Sequence, residues 1–310
     1  MGVRGFDMKL IFKLRAERNI LPHWLWLALL ACILSPKVSA QTGTVQDFQD
    51  PARQVHWAMG AFFGTGWYQV DDNRSMYIFR IPPSRTIRDS SLDENGKRSL
   101  GIRLQFPLTF GLTDLEDLPD FANFDNYATV SFTPGIELEI PVTENWQLKP
   151  YVNIGWGTET NSSDSAWIYY GGIRSRYHLG NKNSRWALLN AVYFAGYRPE
   201  FKSRGEFGSL MSGLEFSQPL KSISQSRGED LFLNWHVTHN YFFDRLNFHI
   251  DDGRVESIKD QWELGLALGR GSKGFKIWFV TFEQLGLSYQ WSSNKRFQAI
   301  TFNLKSPFSG

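Results

Sequence analysis

The chain has 310 residues, of which 33 are lysine or arginine and 31 are aspartate or glutamate, so its formal net charge is +2. No block of basic residues suggests a nucleic-acid partner. The single cysteine, Cys32, lies near the N-terminus within a leader-like stretch, which excludes disulfides and thiolate metal sites from the rest of the chain.

The first 40 residues are predicted to be a secretory signal peptide. Basic residues precede an apolar run from Trp24 to Leu34, and the small residues of Val38-Ser39-Ala40 follow it. This run of about eleven residues is too short for the roughly 20 that a membrane-spanning helix needs. Cleavage after Ala40 is therefore expected.

Two alternatives remain open for this leader. Translation could start at Met8, which would change nothing downstream. Leu29-Leu30-Ala31-Cys32 resembles a lipoprotein box, which would leave Cys32 acylated at the mature N-terminus.

Without residues 1–40 the chain keeps 27 basic and 29 acidic residues, so its net charge becomes about −2.

The rest of the chain alternates between apolar and polar residues with the period of a β-strand. For example, Leu264, Leu266 and Leu268 share one parity, and Trp156 and Trp291 lie at the ends of similar apolar faces. Aromatic residues in such places are typical of membrane-barrel girdles. Bilayers admit only helices and closed barrels, and no apolar stretch approaches twenty residues. The sequence therefore predicts an all-β fold, a transmembrane antiparallel β-barrel.

About twelve strands are predicted, with ten as the alternative. An even number lets both chain ends lie in the periplasm. We expect a signal peptide over 1–40, a short polar segment over 41–53 and a barrel over 54–310. The predicted strands are 54–69, 75–81, 98–112, 127–140, 146–157, 166–178, 186–197, 208–216, 230–243, 257–269, 275–291 and 297–308.

The signal peptide, the twelve alternating strands and the terminal hairpin 285–308 resemble the translocator barrel of autotransporters. The resemblance is to the solitary autotransporter-like outer-membrane barrels of Gram-negative bacteria, which lack a passenger. It implies a terminal aromatic signal read by the barrel-assembly machinery. Ser309 and Gly310 follow that signal, whereas the usual pattern stops on the aromatic. The residues assigned to the signal, which share one parity, are Ile300, Phe302, Leu304 and Phe308.

An autotransporter needs a passenger before its barrel and a linker helix inside it. About 13 mature residues precede the first predicted strand, too few for a folded passenger. We therefore expect a structural or envelope-interaction role with outer-membrane lipid and lipopolysaccharide as partners. A small-solute channel is the first alternative, and an outer-membrane lipid hydrolase is the second.

The inner faces of the predicted strands carry charges of both signs. They could pair into a network that holds the wall rigid, or they could line a small selective pore. The lumen-lining candidates are Arg103, Glu137, Glu139, Lys149, Arg174, Arg176, Glu215, His236 and Glu263.

No catalytic, metal or cofactor site is expected. A hydrolase needs a serine beside its histidine, and the strand around His236 offers only Thr238. An omptin-like protease would need paired carboxylates near a His-Asp couple, for which Asp71, Asp72, Asp251 and Asp252 with His249 are weak candidates. The acidic loop 113–126 could chelate a divalent ion, but it lacks the spacing of a calcium loop.

Overall fold

The structure is a computed structural model. It describes residues 60, 62–70, 74–93, 96–113, 129–159, 165–180, 184–199, 205–221, 223–224, 230–249, 255–271, 274–277 and 280–308. The predicted signal peptide, the segment 41–53, residues 54–59 and most of the acidic loop 113–126 lie outside the described residues. In the described part, no helix is both long and apolar enough to span a membrane.

Within these residues, twelve antiparallel strands form one closed barrel, which confirms the predicted fold class. Each strand pairs with its neighbours in sequence, and the first strand pairs with the last, so that Gly66 lies opposite Thr301. The strands are β1 (Gly66–Val70), β2 (Arg74–Ile81 and Ser84–Arg88), β3 (Gly101–Gln105 and Leu108–Thr113), β4 (Thr129–Phe132 and Gly135–Thr143), β5 (Trp146–Glu159), β6 (Ser165–His178), β7 (Trp186–Pro199), β8 (Gly205–Pro219), β9 (Leu231–His249), β10 (Val255–Arg270), β11 (Gln284–Trp291) and β12 (Phe297–Asn303).

Prolines divide β2, β3 and β4 at neighbouring places on the wall. A proline has no backbone N–H for the ladder, so it interrupts a strand. The carbonyls of Pro83, Pro107 and Pro134 nevertheless accept hydrogen bonds from the adjacent strands, at 2.8, 3.1 and 3.0 Å. The wall stays continuous. The predicted strand 75–81 is too short, since Ser84–Arg88 continues β2.

Several predicted strands have other ends than expected; for example, β9 runs to His249 instead of residue 243. The first begins only at Gly66, and the last stops at Asn303 instead of residue 308. The segment 275–283 was predicted to start β11, but Phe275–Ile277 pairs with Val280–Phe282 in a separate hairpin. Beside the β12–β1 seam, Phe62–Gly64 and Ser306–Phe308 lie outside the strand ladder and face the lumen.

The outer face of the barrel is apolar. On β5, Val152, Ile154 and Trp156 are 54%, 58% and 49% exposed, whereas Tyr151 and Asn153 on the opposite parity are buried inside the barrel. Large exposed apolar side chains on every second position of a closed barrel are the surface that hydrocarbon requires. The period-two pattern thus assigned the two faces of this strand correctly.

Leu264→Arg should strongly disfavour folding into lipid. Leu264 lies in the middle of β10 and is 53% exposed on the apolar face, and an arginine at the bilayer midplane of a barrel costs roughly 2–4 kcal/mol. The folded fraction in phospholipid vesicles, read from heat-modifiable gel migration, should fall, while Leu264→Met should match the parent. An unchanged fraction for the arginine variant would show that β10 does not face hydrocarbon.

Candidate functional site

The lumen has two ends, which we name by the connections there. The Asn145 end holds the β4–β5 turn, and the Ser293 end holds the β11–β12 turn. Nine charged or histidine side chains were predicted to line the lumen. In the structure they form ion pairs and hydrogen bonds in three groups.

The first group surrounds Glu137, whose side chain is fully buried. Arg174 Nη1 lies 2.7 Å from its Oε2 atom, and Arg103 Nε lies 3.9 Å from Oε1. Arg103 also reaches Glu139 at 3.0 Å, and Lys149 Nζ lies 3.2 Å from the same Glu139 oxygen. Two carboxylates on β4 are thus shared among three cations on β3, β5 and β6, which favours a paired network over a free selectivity lining.

One ion pair crosses the lumen rather than following the wall. Arg103 Nη1 on β3 donates to Glu283 Oε1, 2.9 Å away, just before β11 begins. Glu283 was not predicted as a site residue, because residues 275–291 were expected to form one regular strand. Which side chains meet across a barrel depends on the stagger of its strands, and alternation along the sequence does not reveal that stagger.

The second group is at the Asn145 end and includes the C-terminal residues Leu304–Phe308, which we call the tail. Arg176 forms an ion pair with Glu215, and Ser306 Oγ donates to the other oxygen of Glu215 at 3.0 Å. The tail is therefore hydrogen-bonded to β8, on the far side of the barrel from β12.

Burial lowers the pKa of the Lys305 ammonium in the tail to about 8, although Glu283 acts in the opposite direction. The docked tail thus holds this amine closer to its neutral form than water would.

Phe308 fills the lumen at the end of the tail. Its side chain is 2% exposed and packs against Leu189, Ala191 and Met211 on β7 and β8. Lys149 Nζ and Arg176 Cζ lie 4.7 and 5.9 Å from the centre of its ring, within the range of cation–π attraction. The tail therefore occupies part of the lumen near the Asn145 end.

This position corrects the predicted terminal face. Ile300 and Phe302 are 46% and 55% exposed on the outer face, as expected, and Leu304 is half-buried. Phe308 was expected to share that face, but it lies inside the barrel because the strand ends before Ser306-Pro307. Phe302 is the last outward-facing aromatic of the final strand. The assembly-signal role of these four residues stays a prediction.

A second inserted segment, Phe62–Gly64, which we call the N-terminal insert, occupies the Ser293 end. The Phe62 ring lies 5.1 Å from Phe207, 5.9 Å from Tyr193 and 6.4 Å from Tyr170, in edge-to-face geometry. Phe63 packs on Tyr68 at 5.4 Å. Such aromatic contacts add to the burial of their apolar surface. The first strand was predicted to run through these residues, so their place in the lumen is a second correction.

The third group is formed by His236, Glu263 and Ser288. His236 Nε2 lies 3.1 Å from Glu263 Oε1, and Ser288 Oγ donates to that oxygen at 2.6 Å. Gly265 faces this group, and a Cβ there would lie 2.1 Å from the His236 ring. β11 therefore supplies the serine that the strand of His236 lacks. The carboxylate stands between serine and histidine, so the Ser–His hydrogen bond that activates a nucleophile is not formed here.

The omptin-like candidates fall on residues that the structure does not describe. Asp71, Asp72, Asp251 and Asp252 lie outside the described residues, as does the side chain of His249. Within the described part of the chain, no three His, Cys, Asp or Glu side chains are grouped so that they could hold a metal ion.

Two solved structures are similar to the chain. The beta domain of the Bordetella autotransporter Brka matches at 11% sequence identity, over 76% of this chain and 92% of that one, with a TM-score of 0.41. A loop L8 deletion mutant of OmpT, an outer membrane protein of Vibrio cholerae, matches at 10% identity, over 76% and 93%, with a TM-score of 0.22. No family model and no curated protein matches the chain. The barrel assignment therefore rests on the strand pairing itself.

Proposed function

We propose that this chain is an outer-membrane β-barrel whose lumen is kept closed by its own polypeptide. In this view it acts as a passenger-less, autotransporter-like structural or envelope-interaction protein without catalytic activity. The apolar outer face and the predicted signal peptide support an outer-membrane location after cleavage at Ala40. Outer-membrane lipid and lipopolysaccharide would contact that face, and the barrel-assembly machinery would insert the chain.

The single observation that carries this proposal is the double occupation of the lumen. The tail packs Phe308 against β7 and β8 at one end, and the N-terminal insert packs Phe62 against Tyr193 and Phe207 at the other. Between them, Glu137, Glu139 and Glu283 pair with cations from several strands. A transport channel needs a continuous wet path, and these contacts occupy the space through which it would run.

Purified full-length protein should show no steady conductance in planar bilayers. Because the inserted segments and the paired charges of the described residues occupy the lumen, we expect no path for hydrated ions, and the current should stay at the level of the protein-free membrane. Insertion must be shown in the same sample, by heat-modifiable gel migration of protein recovered from the bilayer lipid. A stable, ohmic conductance from inserted protein would contradict the closed barrel and favour the channel alternative.

A further inference from the structure

A cavity of about 180 Å³ remains in the lumen between the two inserted segments. Phe62 and Phe63 line it on one side, and Pro307 of the tail lines it on the other. A space of this size can hold several water molecules or one small organic molecule. The rest of the lining is polar and aromatic. The polar groups that face the cavity therefore decide what the cavity can bind.

Two arginines line this cavity, and both have unused hydrogen-bonding capacity. Arg174 Nη1 donates to Glu137, but its buried Nε–H has no hydrogen-bond partner within the described part of the chain. Arg80 Nη2 donates to the Tyr170 hydroxyl at 3.0 Å, and its Nε–H is likewise buried without a partner. An unsatisfied donor on a buried charged group is costly. Both N–H groups would be satisfied by an oxyanion.

The ion pairs around the cavity point the same way. Arg174 shares the carboxylate of Glu137, whereas Arg80 forms no ion pair with any residue that the structure describes. Arg80 lies over the Tyr170 ring, 5.7 Å from its centre, and a phenol does not neutralise it. The one acid lining the cavity, Glu263, is already bonded to His236, Ser288 and Gln290. Arg80 is therefore a lining guanidinium that no carboxylate of the described residues contacts.

We propose that this cavity is a binding site for a small molecule that carries a phosphate or carboxylate group. Arg80 supplies a guanidinium that has no carboxylate partner among the described residues, and guanidinium matches the geometry of such oxyanions. Arg174 adds a second donor and is held in place by Glu137 and by the Tyr151 ring, 3.7 Å away. The inference does not depend on whether the barrel conducts, since binding and conductance are measured separately.

The test titrates purified full-length protein in detergent micelles with sodium phosphate and, separately, with sodium acetate. Isothermal titration calorimetry is run against sodium chloride at matched ionic strength. Saturable binding of either oxyanion is expected, and phosphate and acetate affinities decide which class is preferred. Arg80→Gln should weaken binding about tenfold or more, because the variant loses both the positive charge and the guanidinium hydrogen bonds to the oxyanion.

Arg85→Gln is the matched control, since Arg85 is on the same strand but exposed outside the cavity. It should bind like the parent. If Arg80→Gln does not fold, Arg80→Lys is used instead. It keeps the positive charge but loses the planar set of guanidinium N–H donors, so it should bind the oxyanion more weakly than the parent. Absence of saturable binding to both salts, or equal affinity in the parent and in the folded Arg80 variant, would overturn the proposal.

Discussion

Deleting residues 304–310 is expected to expose Ala191 to water without exposing Ala195. Both alanines are on β7, both face the lumen, and they are 3% and 4% exposed. Ala191 packs under Phe308 of the tail, whereas Ala195 belongs to the aromatic cluster around the N-terminal insert. The two positions therefore report on the two inserted segments separately.

Cysteine labelling can measure this difference, because the chain beyond the predicted leader has no cysteine of its own. Ala191→Cys and Ala195→Cys are small changes that keep the lumen nearly filled. In the full chain, both should react slowly with a water-soluble maleimide. Removing the tail should accelerate labelling at residue 191 by roughly 10- to 100-fold, since burial of one phenylalanine side chain contributes about 1.5–3 kcal/mol. Labelling at residue 195 should not change.

The reciprocal variant serves as the control. Phe62→Ala should accelerate labelling at residue 195 and leave residue 191 slow. Phe79→Ala, which removes a 52% exposed side chain from the outer face of β2, should change neither rate. Rapid labelling at residue 191 in the full chain would contradict the packing of the tail on Ala191. Equal acceleration at both positions would mean that deletion of the tail loosens the whole barrel.

Particular strands show which faces of the barrel wall the sequence pattern could predict. On β5 and β10 one parity is apolar and the other polar, so alternation alone assigned the two faces. On β2, apolar Ile78 and charged Arg80 share the lumen face while Phe79 points outward. Both parities there contain large apolar residues, and the pattern could not indicate that Arg80 faces the cavity.

The tail shows a second limit. Alternate residues share a face only while the strand is unbroken. The strand has ended before Ser306-Pro307, so parity does not predict the direction of Phe308. The contact of Phe308 with Leu189 and the pair between Arg103 and Glu283 then join parts of the chain that are distant in sequence. Such contacts depend on the curvature and stagger of the closed sheet, which no local pattern contains.

Glu137→Gln should be among the most destabilising single changes in the lumen. The carboxylate is fully buried and accepts from Arg174, with Arg103 beside it. Replacing it by an amide leaves a buried guanidinium without its counter-ion, and breaking a buried pair in this way costs roughly 3–5 kcal/mol. Guanidinium unfolding of the barrel in lipid vesicles, followed by tryptophan fluorescence, should show a lower midpoint.

Glu206→Gln is the matched comparison. Glu206 accepts a hydrogen bond from the Tyr169 hydroxyl at 2.6 Å in an exposed position, so its loss should cost at most about 1 kcal/mol. A double replacement of Glu137 and Arg174 by methionine should lose less than Glu137→Gln alone, because no buried charge is then left without a partner. If Glu137→Gln costs no more than Glu206→Gln, the lumen charges do not hold the wall together. They would then be available to line a pore, as the small-solute channel alternative requires.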